Sequence, residues 1–238
     1  MNQVVHLAPV PRRTSANTKA LAQPRAATNK RAPVRTNDPA RTMAGILEVA
    51  MAEFAEKGLD GGRIDAIAAT TRTSKRMIYY YFGSKEGLYL AVLEESYRRM
   101  RAIEADLRLE DLAPEDALRR LVGFTFDHHY GNQAYIRLVM SENIQRGSYL
   151  AQSKTIQQLN VPAIEAIQKL YERGLQQGVF RVGLEPVDLH ASISALTFFN
   201  VSNQHTFGLI FKRDMRARQT QMGRRDSIID MVVRFVRK

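Results

Sequence analysis

The chain has 238 residues, no cysteine and no tryptophan, with 35 Lys and Arg against 24 Asp and Glu for a formal net charge of +11. Without cysteine it has no disulfide framework, and it shows no long apolar run and no charged-then-apolar leader that would mark export or a membrane span. These features predict a soluble cytoplasmic protein with a sizeable core, and the basic balance suits a polyanionic partner.

Residues 1–37 hold seven Lys or Arg and no acid, so they supply +7 of the +11 and leave the remainder only mildly basic. Rich in Pro, Ala, Thr and Asn and without an apolar period, this segment is expected to be disordered in the free protein. It reads either as a solvated extension or as an arm that reaches phosphates or the adjacent minor groove.

From Asp38 the chain reads as helices. Asp38-Pro39 is an N-cap followed by proline at the first helical position, and Ile46, Leu47, Ala50 and Phe54 form a core stripe until Gly58 ends the helix. Ile64, Ile67 and Ala68, at i, i+3 and i+4, bury one face of a second, short helix, with Ala68 small enough for another helix to cross closely. After a turn over Thr70 to Thr73, Ser74 caps a third helix. Its Ile78 and Phe82 point inward, while Lys75, Arg76, Met77 and Tyr80 point outward. Two short helices around a tight turn, the second with a basic and aromatic outer face, make a helix-turn-helix. Ser84 caps a fourth helix, carried by Leu88, Tyr89, Ala91 and Val92 toward Met100.

At these residues the chain resembles the TetR family of bacterial transcriptional regulators. The family string is close to T-x-x-x-I-A-x-x-A-G-V-S-x-x-x-x-Y-x-x-F-x-x-K-x-x-L, and Ile67, Ala68, Ser74, Tyr79, Phe82, Lys85 and Leu88 stand in register with it. The resemblance covers roughly Arg41 to Leu93. Arg63 replaces the usual Thr, and Thr71, Arg72 and Thr73 replace Ala-Gly-Val. A non-glycine residue at a turn position of positive φ costs about 1 kcal/mol. The added cations Arg63 and Arg72 lie where phosphates would pass.

The resemblance implies a homodimer on a near-palindromic double-stranded DNA operator, released by a small-molecule effector. On that reading Ser74, Lys75, Arg76, Met77 and Tyr80 begin and face the groove, with Arg76 suited to guanine. Tyr79 and Lys85 match positions that touch the DNA backbone, and Arg63 sits where a helix start meets phosphate. Ile78 and Tyr81 read as core. A second reading keeps the scaffold as a small-molecule-binding or interaction protein whose reader has degraded, motivated by Thr71-Arg72-Thr73.

Beyond Leu109 the pattern stays helical. Ala113-Pro114-Glu115-Asp116 opens a helix through Phe124 and Tyr130, and Asn132 opens another through Tyr135, Leu138, Val139 and Glu142 that stops at Gly147. Ser153 to Gln177 forms a longer helix, kinked near Pro162, with Gly174 and Gly178 before a polar loop. Glu185-Pro186 opens a helix carrying Leu189, Ile193, Leu196, Phe199 and Phe207. Asp226 to Val236 forms the last. The whole predicts an all-α protein: a helix-turn-helix domain over 38–84 and a helical bundle for ligand binding and dimerisation over 85–238.

The broad apolar stretch Ile228, Ile229, Val232, Val233 and Phe235, with Leu196, exceeds what one surface helix needs, and reads as the dimer face or as intrachain core. The resemblance implies an effector pocket in the bundle. Phe124, His128, Tyr135, Met140, Asn143, Tyr149, Phe198, Phe199 and Asn203 mix large apolar walls with a few polar groups, as a cavity needs, and equally describe an ordinary core. Glu142 and Arg146 read as a surface i, i+4 pair. His128-His129 point about 100° apart on a helix, which does not suit metal chelation, and they read as core histidines. No catalytic motif appears, so neither an enzyme nor a cofactor is expected.

Overall fold

The computed structural model describes residues 38–238, so both readings of residues 1–37 fall outside the described residues. Among the described residues there are ten α-helices: α1 (Pro39–Gly61), α2 (Ile64–Thr71), α3 (Lys75–Phe82), α4 (Lys85–Ala105), α5 (Pro114–Gly131), α6 (Gln133–Ile144), α7 (Lys154–Gln176), α8 (Pro186–Ser202), α9 (Gln204–Ile210) and α10 (Arg218–Val236). Short 3-10 turns occur at Leu109–Asp111 and Leu150–Gln152. The all-α expectation holds: the one extended pairing among these residues is an isolated bridge between Phe180 and Arg237.

Local chemistry sets the helix starts. Asp38 accepts from the Arg41 backbone N–H at 3.1 Å, Ser74 from Met77 at 3.2 Å, Ser84 from Gly87 at 3.0 Å and Ser153 from Ile156 at 3.1 Å. Each such cap satisfies an orphan donor and contributes about 1 kcal/mol. Several sequence expectations need correction. Gly58 has φ 68 and breaks α1, but helical turns resume to Gly61. Phe207 belongs to the separate α9, not to α8, and α10 begins eight residues before Asp226, at Arg218. Gly174 lies inside α7, as the helix over Ser153 to Gln177 expects, and a Cβ there would meet the Phe180 ring at 1.9 Å. The glycine is what lets that ring lie flat on the helix.

Two apolar cores result. The first gathers Ile46, Ala50 and Phe54 of α1, Ile64, Ile67 and Ala68 of α2, Ile78 of α3 and Leu88, Tyr89, Val92 and Leu93 of α4, and adds Leu138 of α6 and Ile156 of α7. The second joins Leu118, Leu121, Val122 and Phe126 of α5 with Ile167 and Leu170 of α7, Leu189 and Ile193 of α8, and Ile228, Val232, Val233 and Val236 of α10. Because α6 and α7 feed the first core, the helix-turn-helix is seated directly on the bundle.

Glu142 and Arg146 do not pair. The Glu142 side chain is buried, its Oε2 accepting from the Leu150 backbone N–H at 2.9 Å, whereas Arg146 is exposed with φ 60. The turn over Arg146 and Gly147 rotates Arg146 out of helical register, and the carboxylate instead ties down the returning chain.

The face of α10 expected at a dimer seam is also largely spent within the subunit. Ile228, Ile229, Val232 and Val233 are buried in the second core against α5 and α8, and Leu196 packs against the same core. Only Phe235 of that set is exposed, with the Arg181 guanidinium 4.3 Å above its ring. An apolar stripe wide enough for two neighbours is consumed here by two neighbours of its own chain.

Candidate nucleic-acid interface and effector chamber

The reader is built by α2 and α3. The turn between them closes with Arg72 in the left-handed region, φ 53 and ψ 34, its N–H and that of Thr73 donating to carbonyls at the end of α2. Arg72 therefore adopts the conformation that glycine takes at little cost, while its side chain stays exposed. Ile78 is fully buried and holds α3 down; Tyr81 and Phe82 pack at the edge of the same core.

That seating leaves Arg76, Tyr79 and Tyr80 outward, with Tyr80 77% and Tyr79 44% exposed and Tyr80 set edge-on to Tyr81 at 5.3 Å. Met77 is half-buried rather than outward. Arg76 forms no ion pair with any described residue. Lys75 instead pairs with Asp65 of α2, and the Arg63 guanidinium approaches the same carboxylate at 4.0 Å. The hydrogen bond from Lys75 holds the Asp65 carboxyl below the usual carboxylate range. This cluster is solvent-exposed, so the pairing is weak.

Lys85 has a structural partner that the sequence does not reveal. Its Nζ donates to the Asp60 carbonyl at 3.1 Å, tying the start of α4 to the end of α1. Gly87 matters for the same corner: a Cβ there would lie 2.1 Å from the Phe82 carbonyl oxygen, so only glycine permits so tight an entry into α4. No sequence motif singles out Gly87. Its position three residues after the cap Ser84 is a weak signal, because glycine there has no propensity reason.

A chamber of about 510 Å³ opens between α4, α5, α6, α7 and α8. Of the residues expected at a pocket, Tyr135, Asn143 and Phe198 line it. The other six lie elsewhere. His128 is buried behind Tyr135 at a ring separation of 5.7 Å, with Phe124 against it. Met140 faces a smaller cavity of about 100 Å³ beside Gln204. Tyr149 packs edge-on to Tyr89 at 5.4 Å. Phe199 is exposed on the far side of α8 against Phe207, and Asn203 donates to the Ser202 hydroxyl.

The chamber wall includes residues that sequence reasoning missed, chiefly Tyr97, Arg101, His129, Asn160 and His190. Tyr97, Met100 and Arg101 recur at i, i+3 and i+4 on α4. An arginine on an otherwise apolar, inward stripe was the available signal. Arg101 pairs with Glu104, and its Nε donates to Asn160 Oδ1 at 3.0 Å. His129 stacks on Tyr135 at 6.3 Å and meets Phe198 edge-on at 5.8 Å. Burial lowers the His129 imidazole to about 4 and lowers His128 and His190 as well, so all three are neutral near pH 7. Burial likewise raises the Tyr97 and Tyr135 hydroxyls, keeping them protonated. The chamber is thus aromatic, neutral at most of its polar groups, and cationic at one point.

Comparison with known proteins agrees with this arrangement. The family model for "Bacterial regulatory proteins, tetR family" matches residues 46–92, and that for "Tetracyclin repressor-like, C-terminal domain" matches residues 114–232. The HTH-type transcriptional repressor NicS of Pseudomonas putida is 33% identical over 205 residues, covering 86% of this chain and 97% of that protein. The HTH-type transcriptional repressor SCO4008 of Streptomyces coelicolor is 35% identical over 111 residues, 47% of this chain and 54% of its own. Among solved structures, the putative transcriptional regulator SCO4942 from Streptomyces coelicolor superposes with a TM-score of 0.61 at 26% identity, over 82% of this chain and 98% of that one. With matches to both its reader and its bundle, the chain belongs to the tetR family of bacterial transcriptional regulators.

Proposed function

We propose that the protein is a ligand-responsive transcriptional repressor that binds a near-palindromic operator as a homodimer and lets go when a small molecule enters the chamber. The observation that carries this reading is the outer face of α3: a capped helix, pinned by buried Ile78, presents unpaired Arg76 with exposed Tyr79 and Tyr80. Side chains at the start of such a helix reach base edges in the major groove. Residues 38–84 serve as the reader, and residues 85–238 as the effector-binding and dimerising part. A DNA-binding regulator works in the compartment that holds the genome, and among the described residues no helix is long and apolar enough to cross a membrane.

Pairing of two copies is assigned to the outer faces of α8 and α10. There Ala191 and Phe199, eight residues apart on α8, are exposed, as are Met222, Met231 and Phe235 of α10. Small residues on one helix let a partner helix approach closely. A two-fold pair sets its readers about 34 to 36 Å apart, one turn of the duplex, or a multiple of it.

Helix α4 links the two ends: Lys85 and Tyr89 pack against the reader, Tyr97 and Arg101 stand at the chamber. An effector that prefers one seating of α4 therefore changes the separation of the readers and weakens operator binding by that preference, typically about 1 to 3 kcal/mol. The test is an electrophoretic shift on the DNA upstream of the protein's own gene, in competition with random duplex. Specific retention supports the repressor reading. Failure to outcompete random duplex favours the second reading, a ligand-binding protein with a degraded reader, for which the strained Arg72 turn is the specific observation.

A further inference from the structure

We propose that the effector taken up by the chamber is a small organic anion, received by Arg101 in exchange for Glu104; this rests on the effector-binding reading above. Among the described residues, Arg101 is the only Lys, Arg, Asp or Glu at the chamber wall. Its side chain is 11% exposed, so the cation is largely desolvated and needs a counter-charge. Glu104 meets that need from elsewhere. Also only 10% exposed, it does not line the chamber but borders, together with Arg101 itself, a separate groove of about 500 Å³ between α4 and α7.

A guanidinium carries five N–H donors in a planar fork. Here Nε serves Asn160 and Nη1 serves Glu104, while Nη2 makes no hydrogen bond to any described residue. Nη2 therefore offers the first contact to a carboxylate arriving from inside, which then takes the guanidinium over from Glu104. A second observation points the same way. His129 lines the chamber, is 3% exposed, and its Nδ1 has no hydrogen-bond partner among the described residues. A buried polar atom without a partner is costly, and in the tautomer with its proton on Nδ1 the neutral ring would donate to a ligand oxygen.

The rest of the wall describes the ligand's body. Tyr97 lies edge-on to Tyr135 at 5.5 Å, and His129 is held between Tyr135 and Phe198, so the surfaces on offer are flat and mostly apolar. A cationic ligand would find no carboxylate in the chamber and would be repelled by Arg101. A neutral one would leave the internal pair undisturbed. Only an anion uses the charge that the chamber displays.

The test titrates the full chain with benzoate, benzamide and benzylamine, three probes of one shape and different charge, by calorimetry and by thermal unfolding. Benzoate is expected to bind at least ten-fold more tightly than the other two. Arg101→Gln should erase that preference and Arg101→Lys should keep part of it. Glu104→Gln, which removes the internal competitor, should tighten benzoate about ten-fold. Equal or tighter binding of the amide or the amine, no binding by any probe, or weaker benzoate binding in Glu104→Gln overturns the proposal. The last readout decides even where Arg101→Gln does not fold. Operator affinity is measured in parallel. Benzoate bound through Arg101 without loosening operator would sink the release mechanism and leave the anion assignment standing, whereas release by benzamide alone would do the reverse.

Discussion

Arg76 on α3 and Lys85 at the start of α4 are both cations near the helix-turn-helix, yet they have different surroundings. Arg76 is exposed and unpaired at the start of α3, so its donors are available to a base edge. Arg76→Ala should cut affinity for the preferred operator by about 1 to 3 kcal/mol and flatten its advantage over other sequences. Lys85 is half-buried and bonded to the Asp60 carbonyl. Lys85→Ala should weaken binding about equally on all sequences and lower stability by about 1 kcal/mol. Competition between operator and random duplex, together with urea unfolding, separates the two. His129 supplies a pH signature. Its folded imidazole sits at about 4 against an ordinary 6.5, so the unfolded chain binds the extra proton between those values. The stability that goes with the neutral ring is present above pH 6.5 and is lost as pH falls toward 4, by up to roughly 3 kcal/mol. His128 and His190 shift in the same direction and add to the slope. Urea midpoints from pH 7 to pH 4 should fall, and less steeply in His129→Asn.

The helices are joined by corners whose geometry outranks their propensity. Between α2 and α3, Arg72 holds φ 53 without being glycine. Arg72→Gly should raise stability by up to about 1 kcal/mol by removing that strain, while lowering DNA affinity through the lost cation. A variant both less stable and unchanged on DNA would contradict both halves. At the end of α7 the opposite holds. The Phe180 ring occupies the space where a Gly174 side chain would begin, and it lies stacked on Tyr171 at 6.4 Å. Gly174→Ala should cost about 1 to 3 kcal/mol in chemical unfolding, because the ring has to leave a packed site. The serine caps of α3 and α4 are legible in the sequence because a cap is a local bond. The Phe180 contact is not, because it depends on where the chain returns after a turn.

Across the whole molecule, the two sides of α8 and α10 predict different fates for similar substitutions. Phe199→Glu, on the outer face, should split the proposed dimer while leaving the subunit helical. Val232→Glu, in the second core, should unfold the subunit by placing an unpaired charge among Ile167, Ile193 and Ile228. Light scattering after gel filtration and far-ultraviolet circular dichroism distinguish these results; a dimeric Phe199→Glu protein would remove the outer face from consideration. Operator and effector are also bound to each other by linkage: if the effector weakens operator binding, saturating operator must weaken effector binding by the same factor.

The sequence by itself determined the helical class, the reader and most helix starts, because each rests on short-range facts: apolar spacing within a turn or two, a hydroxyl three residues before an N–H, and a helix-turn-helix string compact enough to read in register. It showed that Ile228, Ile229, Val232 and Val233 share a face, and that Tyr135 and Phe198 are large and apolar. Only the tertiary structure decided that the first four are covered by their own chain and that the last two meet Arg101 and His129 around one cavity. Periodicity says which side of a helix must be hidden. Which neighbour hides it, and where the hiding is incomplete enough to leave a chamber, depends on contacts between residues far apart in the chain, and no local pattern encodes them.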